Sequence, residues 1–364
     1  MSVVPHVLSS SAAVKLQAPV DMLDKLCALY AEYSRVDRDP LEGRIETPYG
    51  KARLLVAGDV LSLDVEADDE TSLAYVRMIL ADNILDIAGS EKPHLSWNGD
   101  GLSGTTLPYF REMRVVSARD LTPHMRRVTL RGDDIARFAT GGLHIRLLFA
   151  PEGRAPKWPS MGRDGRPVWP NGEDALIARV YTIRNIDVAH GEVDIDMVVH
   201  PGGNTPGATW ALNTKPGDIV GMTGPGGGGV EEAPQYLLVG DETALPAIGR
   251  ILETLPAHAK AKVILEIDSL ADQQDFPTSA TIDYRWEFRN GAAAGTTGKL
   301  AEIVRELDAA TLSPDTFVWA GCEFSDFKAI RSYLRKERKH DREKHLVVAY
   351  WRRGFDGDNA RRDD

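Results

Sequence analysis

Between residues 179 and 211 the chain carries three short groups of side chains whose chemistry suits a single ligand. Arg179-Val-Tyr-Thr-Ile-Arg184 reads as a β-strand, in which alternate residues share a face. Arg179 there offers a planar fork to a diphosphate, Tyr181 on the same face offers a surface to a flat ring, and Thr182 adds a hydroxyl beside it. In the next strand, Glu192 to His200, Val193, Ile195, Met197 and Val199 alternate with Asp194, Asp196, Val198 and His200, so one face is core and the other is free for a ligand. Beyond it Thr205 is a good N-cap, Pro206 suits the first helical position, and Gly207 and Ala208 leave backbone N–H groups uncovered. A helix that starts this way binds anions. Ring, hydroxyl and diphosphate contacts together are what a bound flavin dinucleotide needs, and they point to a redox enzyme.

The elements that must hold these groups are legible in outline. From Arg114 to about Thr223 the pattern is strands separated by turns, which predicts a small antiparallel β-barrel. One interruption, Pro151 to Glu173, is rich in Pro and Gly, contains Trp158 and Trp169, and is too long for a passive connection. It is expected to form a lid over the adenine end of the flavin or over the substrate mouth. After the glycines at 226–229 the pattern turns to strand, turn and helix: strands at 236–240, 262–268 and 316–321, helices at 245–255, 300–307 and 327–338. Alternation of this kind predicts a parallel sheet covered by helices, with ligands at the carboxyl ends of its strands. Those ends carry Gly240-Asp241-Glu242-Thr243-Ala244 and Gly321-Cys322-Glu323, without a Gly-x-Gly-x-x-Gly fingerprint. Ahead of all this, residues 1–104 read as a separate α+β unit. Met22, Leu26, Leu29 and Tyr33 keep helical spacing, residues 52–56 and 61–65 alternate as strands around a turn at 57–59, and Leu73, Val76, Leu80, Ile84 and Ile87 form a second stripe. Trp97 to Thr106 reads as a linker. The expected division is therefore 1–104, 105–229 and 230–364.

Composition narrows the class. A length of 364 residues with 43% apolar and 27% charged content allows two or three domains with ample core. The net charge of −11 argues against a general nucleic-acid or anionic-membrane binder. Cys27 and Cys322 are the two cysteines, far apart in sequence, so neither a disulfide framework nor a redox dithiol is expected and a cytoplasmic location fits. No run approaches a membrane span, and the start lacks a basic residue followed by an apolar stretch. The nine histidines show no ligand spacing, so no protein-held metal is expected.

Four blocks, Arg179–Arg184, His200 to Ala211, Gly240-Asp-Glu-Thr-Ala-Leu-Pro-Ala247 and Tyr350-Trp-Arg-Arg-Gly354, make residues 108–355 resemble the siderophore-interacting proteins. These are FAD-dependent ferric-siderophore reductases of the ferredoxin-reductase-like superfamily, and residues 1–104 resemble an uncharacterised domain fused ahead of some of them. The resemblance implies FAD, with NADH or NADPH as donor. It implies a cofactor set of Arg179, Tyr181, Thr182, Val198, Val199, His200, Thr205, Gly207, Ala208 and Thr209, joined at the nicotinamide side by residues 240–244 and by Gly321, Cys322 and Glu323. One departure stands out: the family pattern Gly-Pro-Ala-Ser is here Thr205-Pro206-Gly207-Ala208, and the missing hydroxyl is replaced by Thr205, by Thr209 or by backbone N–H groups. An adjacent carboxylate disfavours a thiolate at Cys322, which leaves it a position lining the nicotinamide site.

On an acidic protein any anion site must be local, and Lys328, Arg331, Trp351, Arg352 and Arg353 are the substrate-side candidates. The implied activity is transfer of hydride from NAD(P)H to FAD and of single electrons to siderophore-held Fe(III), releasing Fe(II), with no catalytic acid or base required. The alternatives are a general flavin or ferredoxin-type reductase and a non-catalytic binder of ferric siderophore or haem.

Overall fold

A computed structural model of the chain describes residues 7–102, 106–199 and 205–355. The protein folds as two compact units, Met1–Phe110 with Gly153–Leu176, and Arg111–Glu152 with Ile177–Asp364.

The first unit is an antiparallel sheet of β1 (Leu8–Lys15), β2 (Arg35–Asp39), β3 (Glu42–Thr47), β4 (Gly50–Ala57), β5 (Val60–Ala67) and β6 (Trp97–Gly99), in the order β2-β3-β4-β5-β1-β6. Helices α1 (Pro19–Ala31) and α2 (Glu70–Ala88) supply Leu23, Leu26, Leu73, Leu80 and Ile84 to the core, where they meet Leu54, Leu61 and Leu63 of the sheet. The sheet residues alternate because successive side chains of a strand point to opposite faces. Asp69 caps α2 by accepting from the backbone N–H groups of Thr71 and Ser72 at 2.9 and 3.0 Å.

The second unit begins as β7 (Phe110–Thr122), β8 (Met125–Arg131) and β9 (His144–Phe149). The chain then leaves it for a ribbon, β10 (Ser160–Met161) paired with β11 (Pro167–Val168), which belongs to the first unit. There Trp97 donates its backbone N–H to Arg163 O and its indole N–H to Asp164 O, each at 3.0 Å, and Trp158 packs on Phe110 at 5.3 Å. Gly165, at φ +83°, lies so close to Trp97 that a β-carbon would come within 2.9 Å of Nε1. The proline-rich interruption expected to be a lid is thus a built part of the first unit, because its tryptophan and its tight turn find their packing partners there.

The chain returns as β12 (Ile177–Thr182), β13 (Asn185–Asp187), β14 (Glu192–Val198), α3 (Pro206–Asn213) and β15 (Ile219–Gly226). The seven strands pair in the order β12-β9-β15-β7-β8-β14-β13. The two edge strands, β12 and β13, are separated only by Ile183 and Arg184, so the sheet must curl until its edges meet, which gives the expected barrel. Val128, Leu130, Ile145, Leu147, Ile195 and Met197 fill it.

Five parallel strands follow: β16 (Gln235–Gly240), β17 (Lys260–Ile267), β18 (Thr281–Phe288), β19 (Thr316–Glu323) and β20 (His345–Trp351), ordered β18-β17-β16-β19-β20. Helix α4 (Leu245–Thr254) covers one face, with Ile248, Ile251 and Leu252 against Leu238, Val263 and Leu265. Helices α5 (Lys299–Glu306) and α6 (Phe324–Ser332) cover the other, with Ile303, Val304 and Ile330 against Val239, Val318 and Ala320. The last expected helix starts three residues earlier than the sequence pattern suggested and ends in a π-helical turn over Tyr333–Glu337. The crossover direction reverses between β16 and β19, which makes the carboxyl ends of these two strands the switch point where a ligand fits.

Candidate functional site

Within the second unit a cavity of about 310 Å³ is lined from the barrel by His144, Tyr181, Thr182, Asp196, Val198 and Thr205, and from the parallel sheet by Glu242, Thr243, Tyr350 and Trp351. Strand β12 forms because Ile177, Val180, Tyr181 and Thr182 are good strand formers, and its pairing with β9 sets Arg179 opposite Leu147 and Thr182 opposite His144. Arg179 donates Nη1–H to the neighbouring Ala178 O at 2.9 Å and has no carboxylate partner among the described residues. A half-buried guanidinium of this kind suits a phosphate. Tyr181 lies directly over Gly207, where a β-carbon would collide with its hydroxyl.

Helix α3 starts as expected, with Thr205 extended at φ −89°, ψ 137° and Pro206 in the first turn, but the Thr205 side chain makes no capping hydrogen bond. Its hydroxyl is left for a ligand. Gly207 and Ala208 are buried in this first turn and Thr209 is half-buried. Trp210 packs on Phe149 at 5.1 Å, a support for the helix. Along β14 Val198 lines the cavity, whereas Val199 is 5% exposed and points into the barrel core. His200 lies outside the described residues. The residues present fit a flavin dinucleotide: a ring surface at Tyr181, hydroxyls at Thr182 and Thr205, an uncommitted guanidinium, and a helix start with its side-chain cap unused.

At the sheet edge Gly240 admits no β-carbon because Ala244 fills that space. Asp241 is buried and gathers three strand ends. It accepts from the Thr243 N–H at 2.9 Å and hydroxyl at 2.5 Å, from the Glu323 N–H at 3.1 Å and from the Trp351 indole N–H at 2.8 Å. Burial, reinforced by the neighbouring Glu242 carboxylate, pushes its carboxyl up to about 7 against the pull of these donors. Glu242 is held by Arg289, whose Nη1 also lies 3.8 Å from Glu266. Glu323 caps α6 through the Ser325 N–H at 2.5 Å and accepts the Arg353 N–H at 3.2 Å. A β-carbon at Gly321 would come within 3.0 Å of the Tyr350 ring. Cys322 does not line the cavity: it is fully buried with Val239, Val318 and Ala320 on the α5–α6 side. Burial first, then the carboxylates around it, raise its thiol well above the ordinary range, which disfavours the thiolate.

The substrate-side candidates come together around two phenylalanines of α6. The Arg352 guanidinium lies between Phe324 at 4.4 Å and Phe355 at 4.0 Å, Lys328 Nζ is 5.4 Å from the Phe324 ring, and Arg331 is 5.4 Å from Phe327. Cation–π contact positions these side chains. Trp351 is in the cavity wall, and Arg353 is exposed.

Sequence reasoning missed His144, whose Nε2 is 2.6 Å from the Tyr350 hydroxyl; it placed Asp196 on the ligand face of its strand but not in the two-pronged pair with Arg127 at 2.7 and 2.9 Å. The Asp196 pair had a signal in the acidic alternation of β14. The His144 contact spans 206 residues and had none.

Comparison with known proteins agrees with this division of labour. The family description "siderophore-interacting FAD-binding domain" matches residues 114–229, "siderophore-interacting protein" matches 233–354, and an uncharacterised domain conserved in bacteria matches 11–98. The ferric vibriobactin reductase of Vibrio cholerae is 32% identical over 250 residues, covering 68% of this chain and 90% of that protein. The NADPH-dependent ferric-chelate reductase of Escherichia coli is 28% identical over 247 residues, covering 66% and 92%. Among solved structures, a siderophore utilization protein from T. fusca aligns with TM-score 0.57 at 34% identity, covering 68% of this chain and 94% of that one. The siderophore-interacting protein SipS from Aeromonas hydrophila aligns with TM-score 0.58 at 31% identity, covering 68% and 93%.

Proposed function

Because this chain belongs to the siderophore-interacting protein family, we propose that it acts as an FAD-containing, NAD(P)H-dependent reductase of ferric siderophores, releasing Fe(II) in the cytoplasm. The observation that carries the reading is the cavity shared by Tyr181 and Thr182 of β12 and by Glu242 and Thr243 after β16. It provides for a flavin on one side and a nicotinamide on the other.

In this reading Tyr181 and Thr182 hold the ring, and Arg179, Thr205, Thr209 and the first turn of α3 hold the diphosphate. Residues 240–244 with Gly321 and Glu323 form the nicotinamide side. Bound FAD supplies the conversion of a two-electron hydride into single electrons that iron can accept. Lys328, Arg331, Arg352 and Arg353, with Trp351, draw an anionic chelate to that cavity. The work divides among residues 1–104, 105–229 and 230–364, with Gly153–Leu176 assigned to the first. Among the described residues no helix is long and apolar enough to cross a membrane.

The visible spectrum of the purified protein tests the proposal as a whole. It should show bound flavin, bleach with anaerobic NADH or NADPH, and recover on adding a ferric catecholate or hydroxamate. A colourless protein, or flavin that no nicotinamide bleaches, overturns it in favour of a binding protein. Recovery only with free flavin or ferredoxin makes the protein a general reductase.

A further inference from the structure

The cavity contains a polar pair that electron transfer alone does not use. His144 opens β9 and Tyr350 is the penultimate residue of β20, and His144 Nε2 stands 2.6 Å from Tyr350 Oη with the two rings edge-on at 5.3 Å. Tyr350 is held on its other side by Trp319, edge-on at 5.9 Å, and by the absence of a side chain at Gly321. Both residues line the cavity with Tyr181 and Thr182. The carboxylates in the same wall are Asp196 and Glu242, held by Arg127 and Arg289. Arg146 stands two residues along β9 from His144, and Arg137 donates to the O of Gly224, a residue of β15 two positions before the Gly226 that pairs with His144, at 3.2 Å.

Building on the reductase reading above, we propose that His144 and Tyr350 form a proton relay for reduction of the chelate. A chelating oxygen that leaves iron must gain a proton, and oxidation of a fully reduced flavin releases two electrons and two protons. Each electron sent to Fe(III) therefore has one proton to place. Tyr350 passes its hydroxyl proton to a chelate oxygen as Fe(III) takes one electron and becomes Fe(II). The Nε2–H of protonated His144 restores the tyrosine hydroxyl, and the proton released on cofactor oxidation recharges His144. Charge and atoms balance without any further reactant. A hydroxyl and an imidazole in one short hydrogen bond are suited to this kind of transfer.

The test uses the full-length protein loaded with FAD and compares Tyr350→Phe and His144→Gln with the parent. Photoreduced protein is mixed with either a ferric tris-catecholate, which takes an electron and a proton, or ferricyanide, which takes an electron alone. Both variants should slow the catecholate step roughly 10- to 100-fold and abolish its solvent isotope effect in heavy water, leaving ferricyanide oxidation unchanged. In the FAD-free parent and Tyr350→Phe, the NMR titration midpoint of the His144 ring should differ. Equal slowing with both oxidants, or catecholate oxidation that keeps its isotope effect in the variants, overturns the relay and leaves the pair a brace between barrel and sheet. If the parent reacts with ferricyanide but never with a ferric chelate, the reductase reading itself has failed and the relay falls with it.

Discussion

Tyr181 and Gly207 are paired by shape: the tyrosine hydroxyl occupies the space that a side chain at position 207 would need. Gly207→Ala should therefore displace the ring proposed to face the flavin and weaken FAD binding. The cost should resemble overpacking, about 1–3 kcal/mol. Tyr181→Phe in the Gly207→Ala background should recover part of the loss, since it removes the atom in collision. Fluorescence titration of the four proteins with FAD measures the coupling, and strictly additive losses would separate the two residues.

Thr205 stands at the start of α3 without capping it. Removing a used cap costs about 1 kcal/mol of stability. Thr205→Ala should accordingly leave the melting temperature of the FAD-free protein unchanged while weakening FAD. Arg179→Ala should weaken it more, by about 1.5–3 kcal/mol if a charged contact to phosphate is lost. If Thr205→Ala leaves FAD affinity untouched and Thr209→Ala lowers it, the missing family hydroxyl is supplied from position 209.

Asp241 gives the sheet edge a pH dependence. Its carboxyl is raised from an ordinary 3.8 to about 7, so the folded state prefers the protonated form. This contribution to stability is fully present below the unfolded value and is lost as pH rises through about 7. Urea denaturation should show a fall between about pH 4 and about pH 7, the span from the unfolded to the folded value, that Asp241→Asn flattens. The asparagine should also lower stability at acid pH, because its amide accepts at one end only while Thr243, Glu323 and Trp351 donate to both ends of this side chain.

Arg352, held between Phe324 and Phe355, and Arg353 predict a salt-sensitive substrate site. Arg352→Ala/Arg353→Ala should weaken apparent affinity for an anionic ferric siderophore and flatten its dependence on ionic strength. Reduction of the flavin by nicotinamide should proceed nearly as before. A loss confined to the nicotinamide step in stopped-flow traces would move these arginines out of the substrate site.

What the sequence displayed follows the range of the interactions. Arg179 and Tyr181 were legible because alternate residues of one strand share a face, Thr182 because it follows them directly, and the α3 start because caps and first-turn prolines act within four residues. Strand β18 went unread although Thr281–Phe288 alternates: it is an edge strand whose half-exposed residues carry no apolar block. Cys322 was misplaced because β19 is buried on both faces, so its pattern does not say which residues face the ligand. The barrel's closure, the His144–Tyr350 contact and the attachment of Gly153–Leu176 all depend on partners far along the chain.

The ribbon that leaves the barrel between β9 and β12 also bears on synthesis. The first unit lacks the strand pair that packs on Trp97 and Phe110 until residue 176 has been made. By then β7, β8 and β9 have already been made, with the whole parallel sheet still to come. The ribbon's contacts with Trp97 and Phe110 therefore form only after the first barrel strands have been made, so the first unit is completed while the second is being synthesised. A nascent chain arrested just before the ribbon should be more protease-sensitive around Trp97 and Phe110 than the full-length protein, with the core of α1, α2 and the sheet already protected.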